Sequence, residues 1–221
     1  MTVFISKAES ELEEIPRYLN SQNIKGVFES LIRFEPLSFQ INSPFEVIFF
    51  PSIRSAKFVL DSGQIDLSAY ILACNGSQTQ KRLLDLGYSC DYIAENAGDP
   101  DRVAKDFSQW LGQKKVLIPH SNLSALSVTK YLNPNQYSTI EVYKTVDFPM
   151  LIEPCDIYVF SSPSNIDSFF KQNAIKAGST IIVWGNTSLN CLQKYGYQAN
   201  YKLVEGTMVE LFKVLQKNIN K

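Results

Sequence analysis

Short apolar runs alternate with amphipathic stretches along the whole chain. Runs such as Val3-Phe4-Ile5, Val47-Ile48-Phe49-Phe50, Val116-Leu117-Ile118 and Ile157-Tyr158-Val159-Phe160 are too short for helices and apolar at every position. That is the pattern of strands buried on both faces. It predicts strands at 2–6, 25–29, 46–50, 69–73, 90–94, 115–118, 138–145, 156–160, 179–184 and 199–203. Helical periodicity fills the gaps at 8–22, 53–61, 77–87, 100–112, 122–132, 164–171, 187–195 and 206–218. Strands alternating with helices at this spacing predict an α/β protein with mostly parallel strands. End signals agree: Glu9, Glu11, Glu13 and Glu14 open the first helix where its dipole favours acids. Asp99-Pro100 supplies an N-cap and a first-position proline, and Gly87 and Gly196 stand where helices end.

The pattern also repeats. Val3-Phe4-Ile5 leading to Tyr18-Leu19-Asn20 recurs 113 residues later as Val116-Leu117-Ile118 leading to Tyr131-Leu132-Asn133, and Pro36 recurs as Pro149. Phe49-Phe50-Pro51-Ser52 matches Val159-Phe160-Ser161-Ser162, Asn75-Gly76-Ser77 matches Asn186-Thr187-Ser188, and Gly87-Tyr88 matches Gly196-Tyr197. Ordered matches at a nearly constant offset indicate a duplicated unit of roughly 110 residues, far longer than a solenoid repeat. The expected architecture is two similar doubly wound parallel-sheet lobes joined by a two-stranded linker, with a ligand cleft between them. Phe34-Glu35-Pro36-Leu37 and Val146-Asp147-Phe148-Pro149 hold equivalent places in the repeat and are expected to be the two crossings. The first lobe is then discontinuous, 1–36 with 147–221, and the second is 37–146, with flexible crossings near 34–37 and 146–149.

Composition narrows the function classes. At 45% hydrophobic and 19% charged residues, the chain has the composition of a soluble globular protein. Twenty-one basic against 22 acidic residues, net −1, give no electrostatic case for nucleic acid or an anionic membrane. Met1-Thr2-Val3-Phe4-Ile5-Ser6-Lys7 lacks the basic and long apolar regions of an export signal, and no apolar run approaches membrane-spanning length. Cys74, Cys90, Cys155 and Cys191 are scattered, with no CxxC pair and no His/Cys cluster. They read as reduced structural thiols in a cytoplasmic protein, with no metal site. A monomer is expected, as no apolar surface stripe is visible.

Open α/β sheets bind ligands at the carboxyl ends of their strands. The residues there are Ser6-Lys7, Pro51-Ser52, Cys74-Asn75-Gly76-Ser77, Pro119-His120-Ser121, Ser161-Ser162-Pro163-Ser164 and Gly185-Asn186-Thr187-Ser188. Nearly all are Ser, Thr, Asn or Gly entering a predicted helix. Amides and hydroxyls in that position bind carboxylate or phosphate, and the same residue types also serve as plain N-caps. Both readings stand at each single turn; their number argues for a ligand. There is no GxGxxG, P-loop, GxSxG or HExxH motif. The sole histidine, His120, reads as an exposed loop residue more readily than as a catalyst. Tyr143 ends the β run Ile140-Glu141-Val142-Tyr143-Lys144-Thr145. It reads equally as a packing wedge or as a hydroxyl reaching the ligand.

Taken together, these turns resemble the uroporphyrinogen-III synthase family. Ile157-Tyr158-Val159-Phe160-Ser161-Ser162-Pro163-Ser164 is similar to the family's strand ending in Thr-Ser-Pro-Ser, and Val142-Tyr143-Lys144-Thr145 to its Val-Tyr-Arg-Thr segment. Val183-Trp184-Gly185-Asn186-Thr187-Ser188 resembles its Ile-Gly-Pro-Thr-Thr turn, and Glu205-Gly206-Thr207-Met208-Val209-Glu210-Leu211 its closing Pro-Thr-x-x-Gly-Leu stretch. Departures occur at Lys7, where the family has Arg; at His120-Ser121, where it has Arg-Gly; at Pro51 for Thr; and at Cys74 for Gly.

The resemblance implies a cofactor-free lyase that cyclises the linear tetrapyrrole hydroxymethylbilane with loss of water and inversion of ring D, in haem biosynthesis. It implies that Lys7, Ser52, Ser77, Ser162, Ser164, Thr187 and Ser188 hold substrate carboxylates. Tyr143 would then assist departure of the hydroxyl, with hydroxymethylbilane synthase as the neighbouring enzyme. The principal rival is a two-lobed carboxylate-binding or sensor protein without turnover. A nucleotide- or sugar-handling enzyme on a doubly wound fold, lacking its glycine loop, and a degenerate synthase are further alternatives.

Overall fold

The computed structural model describes residues 1–219. The chain begins with β1 (Thr2–Ile5), α1 (Ile15–Ser21), β2 (Lys25–Phe28), β3 (Ile32–Pro36), β4 (Val47–Phe50) and α2 (Ile53–Ser62). It continues through β5 (Ile71–Cys74), α3 (Ser77–Asp85), β6 (Tyr92–Ile93), α4 (Pro100–Leu111), β7 (Val116–Ser121) and β8 (Tyr137–Asp147). It closes with β9 (Ile157–Phe160), α5 (Pro163–Phe169), β10 (Thr180–Val183), α6 (Gly185–Lys194), β11 (Tyr201–Lys202) and α7 (Met208–Ile219). Two compact units result, Met1–Arg33 with Val146–Lys221 and Phe34–Thr145. β3 and β8 are the strands that carry the chain across that division.

The first unit has a parallel sheet ordered β11-β10-β9-β1-β2, and the second a sheet ordered β6-β5-β4-β7-β8-β3. Strands that the sequence repeat equates occupy the same places in the two orders: β9 and β4 are central, flanked by β1 and β7 on one side and by β10 and β5 on the other. The duplication is therefore one of topology as well as of sequence.

The four-residue strands hold because both faces are covered. Ile48 and Phe50 enter one core cluster of the second unit, and Val47 and Phe49 the other. In the first unit Val3 and Ile5 separate from Phe4 in the same way. Each such side chain, fully buried, contributes about 1.5–3 kcal/mol, which outweighs the weak propensities of so short a segment.

Three elements differ from the sequence expectation. The predicted helix at 8–22 is a short 3-10 turn, Glu9–Glu11, followed by α1. Pro16 restricts the helix to starting just before it, and Glu13 (φ 51) takes a left-handed conformation that breaks the run. The stretch at 34–37 is regular as far as Pro36, which ends the edge strand β3, where a missing N–H costs no ladder bond.

The largest difference is at 122–132, where the predicted helix is replaced by a loop with one 3-10 turn, Ser127–Thr129. β7 runs on to Ser121, and Asn122 pairs with the Thr145 backbone instead of capping, accepting from its N–H (2.9 Å) and donating to its carbonyl (3.3 Å). Leu126 then turns left-handed (φ 49), which excludes a continuous helix.

Asn165 ties the first unit together. It is 3% exposed, and its Oδ1 accepts from the Leu31 N–H (2.8 Å) where the chain enters β3. Its Nδ2 reaches the hydroxyls of Ser162 (3.0 Å) and Ser161 (3.4 Å). Replacing Asn165 with Ala strands a buried donor, and a loss of about 1–3 kcal/mol is expected. Denaturant midpoints of wild type and variant check this, an unchanged midpoint being the contrary result.

Candidate functional site at the strand ends

Serine-rich turns follow the carboxyl ends of both sheets, and the structure divides them into two kinds. At the end of β4, Ser52 is extended (φ −157, ψ 158) and its hydroxyl accepts from the Ser55 N–H at 3.3 Å. At the end of β9, Ser162 repeats this geometry (φ −160, ψ 158), capping Asn165 at 3.3 Å. Both hydroxyls are thus engaged as N-caps. Ser164 is half-buried in the first turn of α5.

α3 and α6 begin differently. No side-chain cap is present at either start among the described residues. α3 is entered through Gly76 (φ 94), a conformation that L side chains rarely adopt, and a Cβ there would stand 2.9 Å from that of Ala97. Ser77 follows, exposed, as the first helical residue. α6 is entered through Gly185 (φ 84), with Thr187 exposed in its first turn. Ser188 is fully buried, its hydroxyl without a partner among the described residues, so it faces protein. Uncapped first-turn amides carry the positive end of the helix dipole and favour anions.

Lys7 follows β1, with Nζ 3.3 Å from the Glu11 carboxylate and 5.7 Å from the centre of the Trp184 ring. Trp184 is held in turn by donation from its Nε1 to the Gly206 carbonyl (2.7 Å). Beside Lys7, Ser6 and Ser161 join the ends of β1 and β9: the Ser161 N–H donates to Ser6 Oγ (2.8 Å) and the Ser161 hydroxyl to the Ser6 carbonyl (2.7 Å).

Tyr143 is 6% exposed and packs in the core of the second unit. Its ring stacks on Phe58 (4.8 Å) and meets Phe34 edge-on (5.9 Å), and the Arg54 guanidinium covers the Phe34 ring at 3.6 Å. The ring is a packing element whatever its hydroxyl does. His120 is not the exposed loop residue expected: it lies within β7, 8% exposed, with Nδ1 2.9 Å from the Ser121 carbonyl.

The cysteines are free. Burial pushes the thiols of Cys155 and Cys191 up to about 11, leaving them protonated near neutrality. The Cys74 thiol donates to the Gly76 carbonyl (3.6 Å). Among the described residues no three His, Cys, Asp or Glu side chains are grouped to hold a metal, and no helix is long and apolar enough to cross a membrane.

Sequence reasoning missed Asn165 and the supporting roles of Trp184 and Arg54. It did not separate caps from free helix starts. Glycine directly before the helix, at Gly76 and in the Trp184-Gly185 start, is the signal that distinguishes α3 and α6 from the two serine-capped starts.

Two sheets whose equivalent strands are parallel and ordered alike, with open helix starts at their carboxyl ends, define a duplicated α/β protein suited to an anionic ligand. The family model described as uroporphyrinogen-III synthase HemD matches residues 13–213, and the chain belongs to that family. It is accordingly an enzyme of the tetrapyrrole pathway, a lyase. The crystal structure of uroporphyrinogen-III synthetase from Helicobacter pylori superposes with a TM-score of 0.72 at 16% identity, over 98% of each chain. A mutant uroporphyrinogen III synthase from the extremely thermophilic bacterium Thermus thermophilus gives 0.57 at 12% identity, over 98% of this chain and 99% of the other. At such identities the likeness is one of fold. None of the curated proteins matches the sequence.

The two kinds of turn separate in experiment. Ser52→Ala and Ser162→Ala are expected to cost about 1 kcal/mol each, as lost N-caps do. Ser77→Ala removes no such bond and is expected to leave stability unchanged. Thermal unfolding of the three variants checks this, and equal losses in all three would show that Ser77 also caps.

Proposed function

We propose that this protein converts hydroxymethylbilane to uroporphyrinogen III by positioning the substrate at its strand ends. The family match over residues 13–213 carries this reading. In the reaction the substrate's hydroxyl departs, leaving a stabilised azafulvenium cation. Unaided, that cation closes head to tail to the type I isomer. The enzyme directs attack through the substituted carbon of ring D, so that a spiro intermediate forms, fragments and recloses with ring D inverted.

What the protein supplies is chiefly a near-attack arrangement. The acetate and propionate groups of the substrate suit the open starts of α3 and α6, with Ser77 and Thr187 adding hydroxyl donors. These sites bind anions without a basic surface, consistent with a net charge of −1. Lys7 adds one cationic contact, held toward the end of β1 by Glu11 and Trp184. Ser52 and Ser162 contribute mainly by fixing the starts of α2 and α5, where backbone amides remain for the ligand, and Ser164 adds a hydroxyl in the first turn of α5. Ser188 acts as a buried residue of α6 rather than through its hydroxyl.

Tyr143 is the candidate for assisting departure of the hydroxyl, as a hydrogen-bond donor or weak acid. Its ring is already fixed between Phe34 and Phe58, so the hydroxyl needs no ordering at the moment of reaction. The setting we infer is a cytoplasmic monomer, supported by its four free thiols, receiving unstable substrate from hydroxymethylbilane synthase.

Coupling the purified protein to hydroxymethylbilane synthase and separating the oxidised products by isomer tests the function. Predominant type III product is expected; type I alone, beside a working synthase control, would favour a binding protein without turnover. Tyr143→Phe keeps the stacked ring, so the variant is expected to fold as wild type and to lose on the order of 100-fold in kcat. Undiminished turnover would remove Tyr143 from the chemistry.

A further inference from the structure

The ends of three neighbouring strands in the first unit are laced together. The Ser6 N–H donates to the Val159 carbonyl (2.9 Å) and the Trp184 N–H to the Phe160 carbonyl (3.0 Å), so the chain leaves β1 and β10 on either side of the end of β9. Strands two places apart in a sheet lie roughly 10 Å from each other. Lys7 and Trp184 meet across that gap all the same, with Nζ 5.7 Å from the ring centre. Their contact brings the Lys7 ammonium to the residue that directly precedes α6, whose start carries no side-chain cap.

The Trp184 ring is fixed from behind. Its Nε1 donates to the Gly206 carbonyl (2.7 Å), and it packs against the core cluster that holds Leu203 and Leu211. A Cβ at residue 206 would stand 3.0 Å from that Nε1, and Gly206 has φ 62, so this close approach depends on glycine. Glu210 secures the same turn, accepting from the N–H groups of Val204 (2.7 Å), Glu205 (2.8 Å) and Gly206 (3.0 Å). Lysine, on its flexible stem, is the partner that needs holding. Its other contact is the Glu11 carboxylate at 3.3 Å, 47% exposed, and a pair so open to solvent holds a long side chain weakly. One bond to Glu11 also leaves ammonium N–H groups for a further acceptor.

Resting on the synthase reading above, we infer that Trp184 is a positioning residue: it holds the Lys7 ammonium across the end of β9, so that Lys7 and the first-turn amides of α6 grip one substrate carboxylate together. A lysine already laid against a fixed ring has less rotamer freedom to lose on binding. The aromatic face attracts the ammonium without neutralising it, as a second carboxylate would. The ligand's carboxylate then meets a cation and the positive end of a helix dipole together. In this role Trp184 acts through Lys7 alone.

A double-variant cycle tests this, with KM and kcat for hydroxymethylbilane from the coupled assay. Calorimetric affinity for uroporphyrin III, the oxidised octacarboxylate product, gives a readout that needs no turnover. Lys7→Met should raise KM and weaken uroporphyrin binding about tenfold, as loss of one charge-assisted hydrogen bond does, with kcat within about twofold. Trp184→Leu should raise KM about fivefold alone and add nothing in the Lys7→Met background. Trp184→Phe keeps an aromatic face and loses the Gly206 bond, so its KM should return toward wild type even where its unfolding midpoint falls. Unfolding midpoints establish that each variant is folded; Trp184→Gln, which keeps a donor for Gly206, takes the place of Trp184→Leu if that variant is not. Independent effects of the two substitutions, or a wild-type KM in Trp184→Leu, would overturn the positioning role. A wild type that makes no type III product would overturn the synthase reading. Non-additive losses of uroporphyrin binding would in that case leave the Lys7–Trp184 pair standing as a carboxylate site, and additive ones would overturn it as well.

Discussion

Everything in this structure depends on central parallel strands buried on both faces. β4 and β9 are at most a few percent exposed, and their backbone groups are matched by parallel neighbours. Such strands present no side-chain face to a ligand. Polar groups free to meet a ligand gather at their carboxyl ends, where the chain turns into helices and first-turn amides lack helical partners. A synthase whose task is to hold a polyacid in one conformation can be built from these ends with few charges.

Residues of one chemical type serve two purposes there. Ser52 and Ser162 share backbone geometry and spend their hydroxyls on their own helices. At the starts of α3 and α6 a glycine at positive φ brings the chain in without an intervening side-chain cap. The capping residue stabilises the fold, and the glycine leaves donors for something else. Turns that look alike in sequence thereby differ: two cap their helices and two leave first-turn amides without a side-chain cap.

Duplication sets the framework and its imperfection individualises it. Equivalent strands keep their order, and the central ones bury both faces in the cores of their own unit. Outside the sheet that restraint is weaker. The helix after β1 and the loop after β7 have diverged, and with them the filled and open spaces that they border.

The α/β class, the doubling and the positions of most strands and helices were legible in the sequence. These rest on local signals: unbroken apolar runs, helical periodicity, Asp99-Pro100 at a start, glycines at ends. The family resemblance was legible as well, spread over turns such as Ser161-Ser162-Pro163-Ser164. What the local pattern misjudged were residues whose partners lie far along the chain. Asn122 looks like a cap but binds the backbone of Thr145, and His120 looks like a loop residue but is covered within β7. Serines at 52, 77, 162 and 188 look equivalent, yet two cap, one is exposed and one is buried. Periodicity and turn chemistry act between residues a few positions apart, so one sequence determines them alone. Whether a polar atom is capped, covered or left open is decided by groups brought together from distant segments, and only the tertiary structure decides that.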